Sequence, residues 1–291
     1  SACLVGSEMC IRDSRYIGGE VNSVMKDKNA VDIRFAMCFP DVYEIGMSNL
    51  GMMILYNMFN QREDVWCERL FSPWPDLDKV MREKKIPLFA LESQEPIRDF
   101  DFLGITIGYE MCYTNILQVL DLSGIPLKSA DRGEDFPIVI GGGACAYNPE
   151  PLAPFFDMFY IGEGETVYDA LFDAYKANKK AGGSRRDFLL AAAKIPGIYV
   201  PSLYEVTYKE DGTIASFAPT ADGVPEKVQK QLIIDMEKEY RAVEAPVVPH
   251  IKATQDRVTL EIQRGCIRGC RFCQAGMLYR PTRERDVEVL K

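Results

Sequence analysis

Apolar positions between residues 31 and 177 fall into two alternating patterns. Short, nearly continuous apolar runs of the buried-strand kind occur at 33–39, 102–107, 138–140 and 158–161, with weaker runs at 67–71 and 88–91. Between them lie stretches with helical spacing, at 48–59, 76–85, 114–123 and 166–177. In the second of these Leu77, Val80 and Met81 share a face. Pro40 and Asp41 end the first run, and Gly124 and Pro126 stop the helix before them. Strand followed by helix, repeated, predicts an α/β unit: a doubly wound, mostly parallel sheet with helices on both faces.

The flanks are patterned differently. Residues 1–30 are weakly patterned, with an ordered turn expected at 16–20. Residues 178–257 read as a connector, with a polar turn at 179–184 and a helix at 187–194. Strands at 204–208 and 213–217 flank Glu210, Asp211 and Gly212, a hairpin signal, and a Pro-rich extended stretch follows at 243–249. Residues 258–262 alternate apolar and polar and predict a strand, and 281–290 predict a capped helix. The expected organisation is therefore 1–30, 31–177, 178–257 and 258–291.

Composition narrows the class. At 291 residues, two domains are the prior expectation, and 47% hydrophobic with 26% charged residues suits a globular chain with a sizeable core. No apolar run is long enough to cross a membrane, and no charged-then-apolar leader stands at the start. Cys3, Cys10, Cys38, Cys67, Cys112 and Cys145 are scattered without framework spacing, which argues for a reducing, cytoplasmic setting. The net charge of −9 is unevenly placed. Residues 251–291 hold nine basic and five acidic side chains, +4, leaving −13 for the rest. The bulk of the chain therefore lacks the basic footprint of a nucleic-acid platform. The local positive charge suits thiolates and anionic ligands, or is a solvated basic face.

The chemistry concentrates in Arg264-Gly265-Cys266-Ile267-Arg268-Gly269-Cys270-Arg271-Phe272-Cys273. Three cysteines spaced C-x3-C-x2-C after a strand can converge on one metal centre. Thiolates suit iron–sulfur clusters and zinc, but structural zinc usually takes four ligands, and the nearest histidine is His250, the only one in the chain. Zinc and unliganded thiols remain the competing readings. The motif, with Phe272 before its last cysteine, resembles the signature loop of the radical S-adenosylmethionine (radical SAM) enzymes. The resemblance implies that Cys266, Cys270 and Cys273 hold a 4Fe–4S cluster whose open iron binds S-adenosylmethionine, that Phe272 contacts S-adenosylmethionine, and that the loop follows the first strand of a β/α barrel. It also implies an electron donor such as flavodoxin or ferredoxin.

Four glycine-bearing loops follow the predicted strands, at 40–46, 108–114, 141–148 and 162–165, where open α/β sheets bind ligands. None has a dinucleotide or phosphate-loop fingerprint, and each alone also reads as a tight turn. Together, and ahead of the cysteine motif, the stretches IGGGACAYNPE and FYIGEGE resemble the cobalamin-binding domain fused to radical SAM barrels, a Rossmann/flavodoxin-like fold, in an uncharacterised bacterial family. The resemblance implies cobalamin contacts at Tyr43, Glu44, Ile45, Gly46, Gly108, Tyr109, Glu110, Thr114, Gly141, Gly142, Gly143, Gly162, Glu163 and Gly164. One departure stands out: after the first strand comes Asp41-Val42-Tyr43-Glu44-Ile45-Gly46, without the histidine that other cobalamin proteins offer to cobalt. Only 18 residues follow Cys273, whereas a complete barrel takes roughly 200 or more. The expectation is the N-terminal portion of a radical SAM enzyme, with radical methyl transfer as its chemistry and an unidentified substrate. The alternatives are a radical SAM enzyme whose α/β domain binds substrate and no cobalamin, and a zinc-stabilised binding module without catalysis.

Overall fold

The computed structural model describes residues 14–238, 243–257 and 259–290. Its centre is a six-stranded sheet. β1 (Ile33–Phe39) and β2 (Val65–Phe71) are buried at every position. They are joined by β3 (Phe102–Thr106), β4 (Ile138–Gly142), β5 (Met158–Tyr160) and β6 (Ile198–Tyr199) in the order β2-β1-β3-β4-β5-β6. The first five run parallel and β6 is antiparallel to β5. The parallel part has the flavodoxin-like order, with the switch in connection direction between β1 and β3.

Helices cover both faces, as strands without a polar side require. On one face α1 (Leu50–Gln61), α4 (Tyr168–Lys180) and α5 (Arg185–Ala192) enclose an aromatic core in which Phe35 meets Phe59, Phe102, Tyr168 and Phe172 at ring-centroid distances of 4.9–6.1 Å. On the other, α2 (Pro75–Lys84) and α3 (Tyr113–Leu122) pack Met81, Ile116, Val119 and Leu120 over Ala36, Leu103 and Val139. Local chemistry sets the helix starts. Asn49 Oδ1 accepts from Met52 N at 2.9 Å, and Ser184 and Asp187 form a reciprocal capping box. α5 and β6 lie within the stretch read as connector. Phe188 packs on Phe102 and Tyr175, and Tyr199 pairs with Phe159, so both belong to the sheet's own layer structure.

β2 begins at Val65, two residues before the run at 67–71, and Glu68 and Arg69 weaken its apolar signal. Both are buried against opposite charge: Glu68 on Arg34 at 2.7 Å, Arg69 on Glu20 at 2.7 Å and Glu92 at 2.6 Å. The expected strand at 88–91 is not formed. A single bridge joins Phe89 to Pro96, and the chain turns back through Gln94 at φ 60°.

The hairpin forms as β7 (Tyr204–Tyr208) and β8 (Ile214–Pro219). Beyond it two expectations fail. Val258 lies outside the described residues, and 259–262 make no strand: Leu260 and Ile262 stand 57% and 56% exposed. An alternating pattern becomes a strand only beside a pairing neighbour. The pairing found is β9 (Gln263–Arg264) with β10 (Arg283–Glu284), antiparallel. The helix expected at 281–290 shrinks to Val287–Leu290, because Arg283 is drawn into β10 and into ion pairs described below. No described helix is long and apolar enough to cross a membrane.

Candidate functional site

A cleft of about 400 Å³ opens over the carboxyl half of the sheet, beneath α1. Its floor is Phe35 and Met37 of β1, Gly104 and Thr106 of β3 and Gly142 of β4, and its roof is Leu50, Ile54 and Leu55. Tyr160 and Tyr168 close one end. The rim is polar, formed by Glu163, Glu165, Glu261, Gln263 and Arg264. The floor is low because side chains are missing from it. A Cβ on Gly104 would stand 2.4 Å from the Phe35 ring, whereas one on Gly142 would meet nothing within 4 Å and would project into open space.

The structure separates the candidate ligand contacts into groups. Gly142, Gly143, Gly162, Glu163 and Gly164 line the cleft. Gly141 faces the opposite core, where a Cβ would crowd Phe159 at 2.8 Å. Gly108, Tyr109, Glu110 and Thr114 are exposed at the sheet's carboxyl edge, outside the cleft. The loop after β1 is packed into the fold at two of its four candidate residues, Tyr43 and Gly46. Tyr43 is 1% exposed and its hydroxyl donates to Glu20 Oε1 at 2.8 Å. Burial first, and then the Glu20 charge, raise its phenol above the usual range. Glu44 pairs with Arg15 at 2.7 Å, Ile45 is 41% exposed, and Gly46 leaves room for the Phe71 ring. His250 Nε2 lies 3.0 Å from Gly18 O, tying the chain near 250 to the segment before β1.

The cysteine loop stands beside the cleft. Cys266 is half-buried, Cys270 and Cys273 are exposed, and the Phe272 ring is 93% exposed. Among the described residues the three thiols are not drawn into a metal-holding group; Cys273 N donates to Cys270 O at 3.1 Å. The donor chemistry does fit iron–sulfur ligation. Residues 265–274 hold three free thiols and no carboxylate or imidazole, with Arg268 and Arg271 adding positive charge. The loop leaves and returns through β9 and β10. At its neck Gly265 has φ +94°, and a Cβ there would stand 2.6 Å from Pro281 O, so a larger residue would force the neck open. Arg264 and Gly265 of this neck also line the cleft.

What holds the neck is a cluster of charges that the sequence did not announce. Glu163 receives Arg283 Nη2 at 2.7 Å and Nη1 at 2.8 Å, the N–H of Ile233 at 2.8 Å, and the Arg264 guanidinium at 3.3 Å. Arg264 also meets Glu165 at 2.6 Å and Glu261 at 2.9 Å. Burial would raise the Glu163 carboxyl, but the Arg283 hydrogen bonds, the Ile233 N–H and the nearby Arg264 charge hold it below the usual carboxylate range. Gly162 serves the same junction: at φ +139° it lets the Gln231 backbone approach so closely that a Cβ would lie 2.3 Å from Gln231 O. Gly-Glu-Gly-Glu thus fastens one part of the chain to another. Acidic residues in a glycine loop carry no mark of the distant arginines they will meet, so no sequence signal was available.

Residues 51–201 match the family of radical SAM proteins, N-terminal. The chain belongs to this family. The matched span runs from α1 through β6, so it is the sheet of this radical SAM N-terminal unit that carries the match, and the cysteine loop lies beyond it. An uncharacterized protein of Methanocaldococcus jannaschii is 25% identical over 256 residues, covering 88% of this chain and 44% of its own length. The chain thus spans less than half the length of that relative. A solved structure of the radical S-adenosylmethionine methyltransferase TsrM from Kitasatospora setae, holding tryptophan and an S-adenosylmethionine analogue, aligns with a TM-score of 0.34 and 14% identity, over 62% of this chain and 29% of that one. A superposition that shallow decides nothing about chemistry.

Proposed function

We propose that this radical SAM N-terminal unit carries two facing cofactor sites of a longer enzyme. Cys266, Cys270 and Cys273 hold a 4Fe–4S cluster, and the carboxyl edge of the sheet with its cleft holds cobalamin. The observation that carries the reading is the shared wall: Arg264 and Gly265, at the neck of the cysteine loop, line the same cleft as Gly142, Gly143 and Gly164. When bound, these groups would supply reductive cleavage of S-adenosylmethionine and a transferable methyl group. The residues of the chain bind and orient. Three protein thiolates leave one iron of a four-iron cluster free for S-adenosylmethionine, and the exposed Phe272 is free to pack against it. Gly142 and the apolar cleft walls have room for a flat appendage of a corrin. No imidazole stands in the loop after β1, and His250 is held at Gly18 O, so cobalt would lack a histidine from this chain. Reduction would come from a small donor protein such as flavodoxin or ferredoxin.

A second reading, in which the α/β unit binds substrate and no cobalamin, is favoured by the same missing imidazole and by a cleft smaller than a whole corrin. Metal content separates the readings. Anaerobically purified protein should contain iron and sulfide and should bind hydroxocobalamin on titration. Iron and sulfide without cobalamin binding supports the substrate-site reading, and stoichiometric zinc without sulfide overturns both. Cys266→Ala, Cys270→Ala and Cys273→Ala should each abolish the iron–sulfur absorption band, because each removes one of three ligands. Cys38→Ala and Cys145→Ala, at buried free cysteines of the sheet unit, should keep it. Full cluster retention in any loop variant sinks the assignment.

A further inference from the structure

We infer that Glu163 is a positioning residue for the cysteine loop: a single carboxylate grips both arginines of the loop's neck and so sets where the three thiols stand relative to the cleft. The inference rests on the cysteine loop being the cluster site. The loop departs at Arg264 and returns at Arg283, and these two residues face each other as the register pair of β9 and β10. Two-residue strands do not hold an 18-residue excursion in place, since even a full isolated hairpin is marginal in water. Both arginines turn to Glu163 instead. Arg283 does so with a two-pronged hydrogen bond, the geometry that fixes direction as well as distance. The groups are largely out of water, with side-chain exposures of 9% for Glu163, 6% for Arg283 and 12% for Arg264. The pairing is therefore not the screened surface kind that contributes little.

Glu163 can act as an anchor because its own backbone is pinned. It stands three residues beyond the end of β5, Glu163 N donates to Gln231 O at 3.0 Å, and Gln231 N donates to Ile161 O at 3.0 Å. From this pinned backbone to the loop neck the connection is one side chain long. Glu165 is the natural comparison: it meets Arg264 in the same loop but has no bond to Arg283. Lys230 adds a second tie, its ammonium donating to Leu278 O and Arg280 O at 2.9 and 3.1 Å on the returning arm of the loop.

The test is hydrogen exchange by mass spectrometry on anaerobically reconstituted protein, with iron release to a chelator followed in parallel. Glu163→Gln keeps the shape and removes the charge. It should speed exchange across residues 265–282 and speed iron release, each by about tenfold or more, because a buried pair that loses one partner leaves the other charge uncompensated. Exchange in β1 and β4 should not change. Glu165→Gln should move both readouts less. Adding Arg283→Met to Glu163→Gln should change both readouts by less than the two single effects combined, because the variants share the Glu163 contact, and what it does add reports the bonds of Arg283 to Ile233 O and Pro281 O. If Glu163→Gln does not fold, Arg283→Lys, which keeps the charge but loses the fork, is measured in the same way with the same two outcomes. Unchanged loop exchange and iron release would overturn the inference, and so would loss of protection in β1 and β4 in step with the loop, which would make Glu163 a general stabiliser. A wild-type protein that takes up no iron would refute the cluster reading, while the exchange arm would still decide whether Glu163 fixes the loop.

Discussion

The sheet unit and the cysteine arm are held by different forces. In the sheet, β1 and β2 are buried along their whole length, and two apolar cores close on the two faces. Stability there comes from removing apolar area from water, a non-directional force that tolerates no gap. In the arm, Ile267, Phe272, Met277, Val287 and Val289 are all more than half exposed, and regular structure is limited to two-residue strands and single helical turns. The arm is fastened at its neck by directional charge pairs. A region built this way can keep its anchorage while its tip adapts to a ligand, whereas the sheet offers a fixed wall against which that ligand is placed.

The comparison breaks most readily on the sheet side. Phe35→Ala removes a ring that meets four other aromatic rings, and should cost about 3–5 kcal/mol. A urea midpoint shift of that size, with loss of the whole sheet in one transition, is expected; a loss below about 1 kcal/mol would show that the core repacks around the gap.

Acid should separate the two regions next. The folded-state carboxyl of Glu163 lies below its ordinary value, so it contributes stability that is fully present above the ordinary carboxylate range and is lost as pH falls through the depressed value. The charged groups around it are Arg283 and Arg264, with Glu165 and Glu261 also paired to Arg264, so protonating Glu163 releases its hold on both arginines of the neck. Exchange measured stepwise downward from neutral pH should show 265–282 opening before β1 and β4. Simultaneous opening would mean that arm and sheet share one cooperative unit.

The smallest effect is the sharpest check on the arm. Phe272→Ala, at a ring 93% exposed, should change the melting stability by no more than about 0.5 kcal/mol. A larger loss would show that the ring is packed in solution and that the arm has a core of its own.

Much of the sheet was legible because its information is local and repetitive. The apolar runs at 33–39, 102–107, 138–140 and 158–161 needed only burial to become strands, and Gly124 marks a helix end by chemistry confined to a few residues. β2 was harder, since Glu68 and Arg69 read as a surface until Arg34, Glu20 and Glu92 arrive from elsewhere in the chain. Of the candidate loops, chain position alone could not tell Gly142, which faces open space, from Gly141, one residue away and packed on Phe159.

The sequence by itself determined the alternation of strand and helix, the type of sheet, and the set of three thiols on one short loop, because each depends on residues near one another in the chain. Tertiary structure alone decided that Tyr43 and Gly46 belong to the packing after β1, that the alternation at 259–262 forms no strand, and that Glu163 and Glu165 meet Arg264 while Glu163 also meets Arg283. Those outcomes turn on partners as many as 120 residues away. A charge or a strand edge carries no record of its partner, and only the folded chain brings the two within reach.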